Sequence, residues 1–135
     1  MQPLLVDANI IIDLFTDDPR WGAWSQAALD QYSATHNLCI NAVVYAEISI
    51  GFARIEELEQ AIIEMGLPLR PIPREALFLA GKTFLQYRRA GGDRQSPLPD
   101  FFIGAHAAVE TMPLLTRDAA RFKTYFPALK VIHPA

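Results

Sequence analysis

Four carboxylates in this sequence, Asp7, Glu47, Asp100 and Asp118, stand where a short apolar run gives way to a helix or where a helix begins. Asp7 follows Leu4, Leu5 and Val6; Glu47 lies just beyond Leu38, Cys39 and Ile40; Asp100 follows Pro97 and Pro99; Asp118 follows Leu114, Leu115 and Thr116. A fold that sets such runs side by side brings the acids to one edge of a sheet, where their charges repel unless a cation joins them. Oxygen-only ligation suits Mg2+ or Mn2+, and a carboxylate site holding two such ions is a recurrent arrangement for phosphoryl chemistry.

The rest of the chain alternates strand and helix signals. Residues 3–6 read as a buried strand, 9–15 as a short helix with Asn9 as its cap, and 16–19 as a turn. A second helix over 21–33 carries Trp21, Trp24, Ala28 and Tyr32 near helical spacing. Residues 38–40 form a short strand, Asn41 caps a helix reaching about residue 52, and a further helix over 55–65 stops at Gly66. An extended piece over 69–72 leads into a long helix over 74–89 and a loop over 91–99. A helix over 100–110, a strand over 113–116, a short helix over 118–125 and a strand over 130–132 complete the chain. This order predicts an α/β layer fold with a mainly parallel central sheet, whose ligands bind outside the carboxyl ends of the strands.

Length and composition predict one domain over residues 1–135. At 51% hydrophobic and 20% charged, the sequence can bury a sizeable core and carries no disordered tract. There is no basic leader with an apolar signal core, and no apolar run approaches the roughly 20 residues of a membrane span. The expected location is therefore cytoplasmic, with no membrane partner. The single cysteine, Cys39, sits in an apolar strand as a small core residue, which fits a reducing compartment. A net charge of −3 argues against a polyanionic partner, but two divalent ions on the four acids would bring it to about +1. Nine of the twelve cations are arginine, the side chain that grips phosphate with a planar fork and that equally often lies in surface ion pairs.

Four segments together resemble the PIN-domain family, and more narrowly its VapC-type toxin ribonucleases. They are Val6-Asp7-Ala8-Asn9, Val43-Val44-Tyr45-Ala46-Glu47, the run from Pro99 to Ala107, and Leu115-Thr116-Arg117-Asp118 with Phe126-Pro127 beyond. The resemblance spans essentially the whole chain, in the family's order and with its usual separations. It implies a five-stranded parallel sheet, a Mg2+- or Mn2+-dependent endoribonuclease, a homodimer, and inhibition by a cognate antitoxin. It assigns Asp7, Glu47, Asp100 and Asp118 as metal-binding acids, and Asn9 and Thr116 as polar residues that orient them or a metal-bound water. Ala8 stands where many relatives have Thr or Ser. The implied reaction is hydrolysis of RNA by a metal-activated water, leaving 5′-phosphate and 3′-hydroxyl ends.

Other residues have plainer readings. Asp13, Asp17 and Asp18 read as turn and helix-end residues, and His106 as a structural histidine, since six positions along a helix turn it away from the face of Asp100. In the loop that precedes Asp100, Arg94 is the candidate for RNA contact, whereas Arg88 and Arg89 favour the negative end of their helix. Trp21 and Trp24 suit an antitoxin or dimer contact better than base stacking. A phosphatase of the haloacid-dehalogenase type would need an acid where Asn9 stands, and a receiver-like module a late strand-end lysine that is missing. The alternative that stays open is a PIN-like module that binds RNA or a partner without cutting.

Overall fold

The computed structural model describes residues 1–92 and 98–135. The first strand, β1 (Pro3–Val6), is built from a continuous apolar run, and Leu4, Leu5 and Val6 are fully buried, as a central parallel strand covered on both faces requires. It is followed by α1 (Ala8–Phe15), α2 (Gly22–Ser33), β2 (Asn37–Cys39), α3 (Ala42–Ser49), α4 (Ile55–Met65) and α5 (Arg74–Arg89). Then come α6 (Leu98–Val109), β3 (Leu114–Leu115), α7 (Ala120–Tyr125) and β4 (Val131–Ile132).

Among the described residues the sheet has four parallel strands in the order β2-β1-β3-β4, rather than the expected five. The missing strand is the extended piece over 69–72. It makes only a single bridge, Leu69 opposite Ile40, with Arg70 N–H donating to the Ile40 carbonyl at 2.7 Å. Pro68, Pro71 and Pro73 surround that bridge, and prolines have no N–H with which to extend a ladder.

The chain leaves β1 towards β2 on one side and reaches β3 on the other, so the topological switch lies between β1 and β3. Their register pairs Val6 with Leu115. Asp7 and Thr116 are therefore delivered next to each other, with Asp7 N–H donating to the Leu115 carbonyl at 2.9 Å.

Helix ends follow local chemistry with three departures from expectation. Asn41 does cap α3, its Oδ1 accepting from Val44 N at 3.0 Å, and Gly66 stops α4 in the left-handed region at φ 66°. The cap of α1, however, is Asp7, whose Oδ1 accepts from Ala8 N at 2.7 Å; Asn9 lies inside the helix. α6 (Leu98–Val109) already includes Leu98 and Pro99 ahead of Asp100, and proline is tolerated in the first turn of a helix. α7 starts at Ala120, so Asp118 lies in the connection after β3 and not on a helix.

One core binds these layers. α6 packs against α3, α5 and α7 with Phe101, Ile103, Gly104, Ala105, His106 and Ala107 buried. An aromatic cluster then ties α5, α6 and α7 together: Tyr87 and Phe101 have centroids 5.6 Å apart, and Phe101 and Tyr125 5.2 Å apart, both edge to face. Gly104 is required by close packing, since a methyl group there would run into the ring of Phe126, itself only 5% exposed. Gly104→Ala therefore loses about 1–3 kcal/mol in urea unfolding despite its better helix propensity, and a Phe126→Leu background lessens the loss. A neutral or stabilising Gly104→Ala would show that the ring can yield.

Candidate active site

Thr116 is the hub of the site. Its hydroxyl donates to Asp7 Oδ2 at 2.7 Å and accepts from Asn9 Nδ2 and from Asp118 N–H, both at 3.2 Å, so its hydrogen-bonding capacity is filled. Asn9 Oδ1 in turn accepts from Arg117 N–H at 3.3 Å. These bonds join the start of α1 to the connection after β3 and hold the backbone of Asp118 at the end of the central strands. Asp7 is 5% exposed and Thr116 is fully buried, while Asp118 itself faces solvent.

The other two acids approach from helices. Glu47 sits in the second turn of α3 and Asp100 in the first turn of α6. Burial is the main cause that pushes Asp7 up to about 6, with the charges of Asp100 and Asp118 adding and the bonds from Thr116 and Ala8 opposing. Glu47 rises to about 7 through burial and the charges of Asp7 and Asp100. Asp100 is raised by burial and by Asp118, against the pull of Arg121, whose Nη1 lies 2.6 Å from its Oδ2. All four acids thus share one electrostatic neighbourhood.

Among the described residues, no three carboxyl, imidazole or thiol groups already enclose a common point as a metal cage would. Both Asp7 oxygens are engaged by Ala8 and Thr116, and one Asp100 oxygen by Arg121. The donor set nevertheless suits a hard divalent cation, being all oxygen and mutually repelling. Glu47 Oε1 adds a direct sign: among the described residues it is the one buried side-chain oxygen or nitrogen without a hydrogen-bond partner.

Several side chains take roles the sequence did not reveal. Asp13, expected at a helix end, is 1% exposed; it accepts from Ser25 Oγ at 2.9 Å and from Arg117 Nε through both oxygens, at 2.9 and 3.2 Å. Arg117 also lies 6.0 Å from the centroid of the Trp21 ring, and Arg20 lies 4.9 Å from it. Trp24 packs against the core. Asp13 stands three residues after the apolar Ile10, on the same helix face, and that spacing was the available signal for its burial. Asp18 behaves as a turn residue, its Oδ1 accepting from Arg20 N and Trp21 N. His106 is structural: Asn41 Nδ2 donates to its Nδ1 at 3.1 Å, which leaves the proton on Nε2 for Glu110 Oε2 at 2.9 Å. Arg88 and Arg89 lie in the last turn of α5, and Arg94 lies outside the described residues.

Comparison with known proteins accords with this geometry. The family model for the PIN domain matches residues 4–126. The chain belongs to the PIN-domain family. No match was found among curated proteins compared by sequence. Solved structures share the PIN fold over nearly the full chain. A VapBC2 complex from Rickettsia felis bound to a DNA fragment from its promoter is similar at TM-score 0.74 and 19% identity, covering 99% of this chain and 100% of that one. VapBC-1 from nontypeable Haemophilus influenzae is similar at 0.72 and 18%, covering 98% of each chain. FitAcB from Neisseria gonorrhoeae is similar at 0.67 and 22%, covering 97% of each. Among the described residues of this PIN domain, no helix is long and apolar enough to cross a membrane.

Two outcomes test the electrostatics. Removing the Thr116 hydroxyl in Thr116→Val takes away a bond that lowers Asp7, so its carboxyl titrates above about 6 by carbon-13 NMR in EDTA; an unmoved midpoint contradicts the bond. For stability, an acid with a raised folded pKa binds its proton more tightly folded than unfolded. Its contribution therefore declines as pH rises from the ordinary carboxylate range through about 6 for Asp7 and about 7 for Glu47. Lowered His106 acts in the opposite sense but is common to wild type and variant. The difference between Glu47→Gln and wild type in EDTA thus moves in the variant's favour from about pH 5 to about pH 8, by on the order of 1 kcal/mol once partial exposure is discounted. A flat difference would remove Glu47 from the repelling cluster.

Proposed function

We propose that this PIN domain is a divalent-metal-dependent endoribonuclease, the VapC-type toxin of a toxin–antitoxin pair. The observation that carries the reading is the convergence of Asp7, Glu47, Asp100 and Asp118, from four separate parts of the chain, at the switch point between β1 and β3. A structural cap would account for any one of them alone. It does not account for four acids in one electrostatic neighbourhood, three of them with raised pKa, together with a buried Glu47 oxygen that has no partner among the described residues.

Asp7, Asp100 and Asp118 would hold the ion, with Glu47 completing the set. Bound there, Mg2+ or Mn2+ supplies Lewis-acid charge for the phosphate and an acidified water as nucleophile. Thr116 and Asn9 act on the acids: the Thr116 hydroxyl fixes the Asp7 carboxylate, and Asn9 holds Thr116 and the Arg117 backbone in place. Glu47 Oε1, which has no partner among the described residues, would accept a hydrogen bond from a water held there. No protein nucleophile is needed, so the products carry 5′-phosphate and 3′-hydroxyl ends. The toxin assignment rests on the likeness to VapBC and FitAcB structures together with the family. A module that binds RNA without cutting is the second reading, and the intact set of four acids weighs against it.

Purified protein incubated with total cellular RNA and Mg2+ or Mn2+ gives discrete products that disappear in EDTA and in folded Asp7→Asn and Asp100→Asn variants, with at least about a hundredfold loss of rate. A 2′,3′-cyclic phosphate end would overturn the hydrolytic scheme. Equal inactivity of wild type and variants under every metal would move the weight to the binding module.

A further inference from the structure

The acid site holds four carboxylates, yet its substrate would be a polyanion, so some cation must meet the phosphate backbone beside it. Two described arginines stand at this rim, and the fold treats them oppositely. Arg117 is committed: its Nε spans both oxygens of the buried Asp13, and its guanidinium lies over Trp21. Arg121, on the solvent side of α7, makes one bond among the described residues, from Nη1 to Asp100 Oδ2 at 2.6 Å. Its side chain is 40% exposed and that of Asp100 30%, so most of its five donors remain available beside the acid.

The placement of Arg121 is also rigid where it needs to be. Phe122, the next residue, is 2% exposed in the core, and Tyr125 of the same helix packs edge to face on Phe101, the residue after Asp100. α6 and α7 are thereby locked together, and the guanidinium is held at the acid from which a scissile phosphate would be reached.

Resting on the ribonuclease reading above, we propose that Arg121 is a substrate-binding residue: docked on Asp100, it grips a phosphate of the RNA backbone at the edge of the acid site. It draws one Asp100 oxygen away from a cation, and it supplies the local positive charge that the four acids lack. Removing it therefore weakens RNA without weakening the metal, a separation that a purely structural ion pair would not give.

The test compares wild type, Arg121→Gln, Arg121→Lys and Asp100→Asn. Mn2+ binding is followed by electron paramagnetic resonance. Binding of a short fluorescein-labelled oligouridylate is followed by anisotropy, with Ca2+ as the divalent ion to suppress turnover. Arg121→Gln binds Mn2+ as tightly as wild type or more tightly, loses about tenfold in RNA affinity, and shows a salt dependence shallower by about 0.7 in log–log slope. Arg121→Lys recovers part of the affinity, because the charge stays while the fork is lost. Asp100→Asn loses Mn2+. Wild-type RNA affinity in Arg121→Gln overturns the assignment, as does a loss of Mn2+ binding in that variant, which would make the pair a support for Asp100. No recovery in Arg121→Lys would mark the effect as lost packing and overturn it as well. Wild type that binds Mn2+ but no RNA sinks the ribonuclease reading and this assignment with it, whereas failure of Arg121 alone leaves that reading intact.

Discussion

The pairing of β1 with β3 places Asp7 and Thr116 side by side, and everything at the site is arranged around that contact. Two strands that follow one another neither in sequence nor by a hairpin are brought into register by their apolar runs, Leu4 to Val6 against Leu114 and Leu115. The residue after each run is polar. The next rung of the ladder therefore joins a carboxylate to a hydroxyl at 2.7 Å inside the protein, where an unpaired partner would be costly. Asn9, the Arg117 backbone and the Asp118 amide attach to the same rung. The position of the acids is thus a consequence of strand register, and a slip of one residue would turn Asp7 to the wrong face.

Electrostatics set the second condition. Burial raises the proton affinity of Asp7, Glu47 and Asp100, with added repulsion from Asp100 and Asp118 at Asp7, from Asp7 and Asp100 at Glu47 and from Asp118 at Asp100, while Thr116 opposes it at Asp7 and Arg121 at Asp100. Nearby cations are divided between two tasks. Arg117 neutralises Asp13, which would otherwise be an uncompensated charge beneath α1 and α2, and in doing so it anchors the connection that bears Asp118. Arg121 stays at the surface, on a single bond among the described residues. The same residue type serves structure in one place and remains accessible in the other, and the difference is burial of its partner.

Much of the fold was legible in sequence because its signals are local. The strand–helix alternation, the Asn41 cap and the Gly66 stop stand where expected, although α3 ends at Ser49, short of residue 52, and Asp118 precedes α7 instead of opening it. What was misread depends on distant partners. Residues 69–72 have the composition of a strand, but prolines at 68, 71 and 73 cut its ladder to one bridge. Asn9 has the chemistry of a cap, but Asp7 reaches Ala8 N first, which leaves Asn9 to Thr116 more than a hundred residues away. Asp13 looks like a surface acid until Ser25 and Arg117 surround it.

The sequence by itself determined the chemistry available: four carboxylates in a fixed order, each near the end of an apolar run or the start of a helix, with no cysteine or histidine among them. Periodicity and capping are short-range effects, so they can be read residue by residue. Only the tertiary structure decided which of the acids is buried, which backbone amide, hydroxyl or guanidinium they meet, and which arginine stays exposed. Those outcomes follow from strand order and helix packing, which join residues that the chain keeps far apart, and it is burial at those junctions that turns ordinary carboxylates into a site.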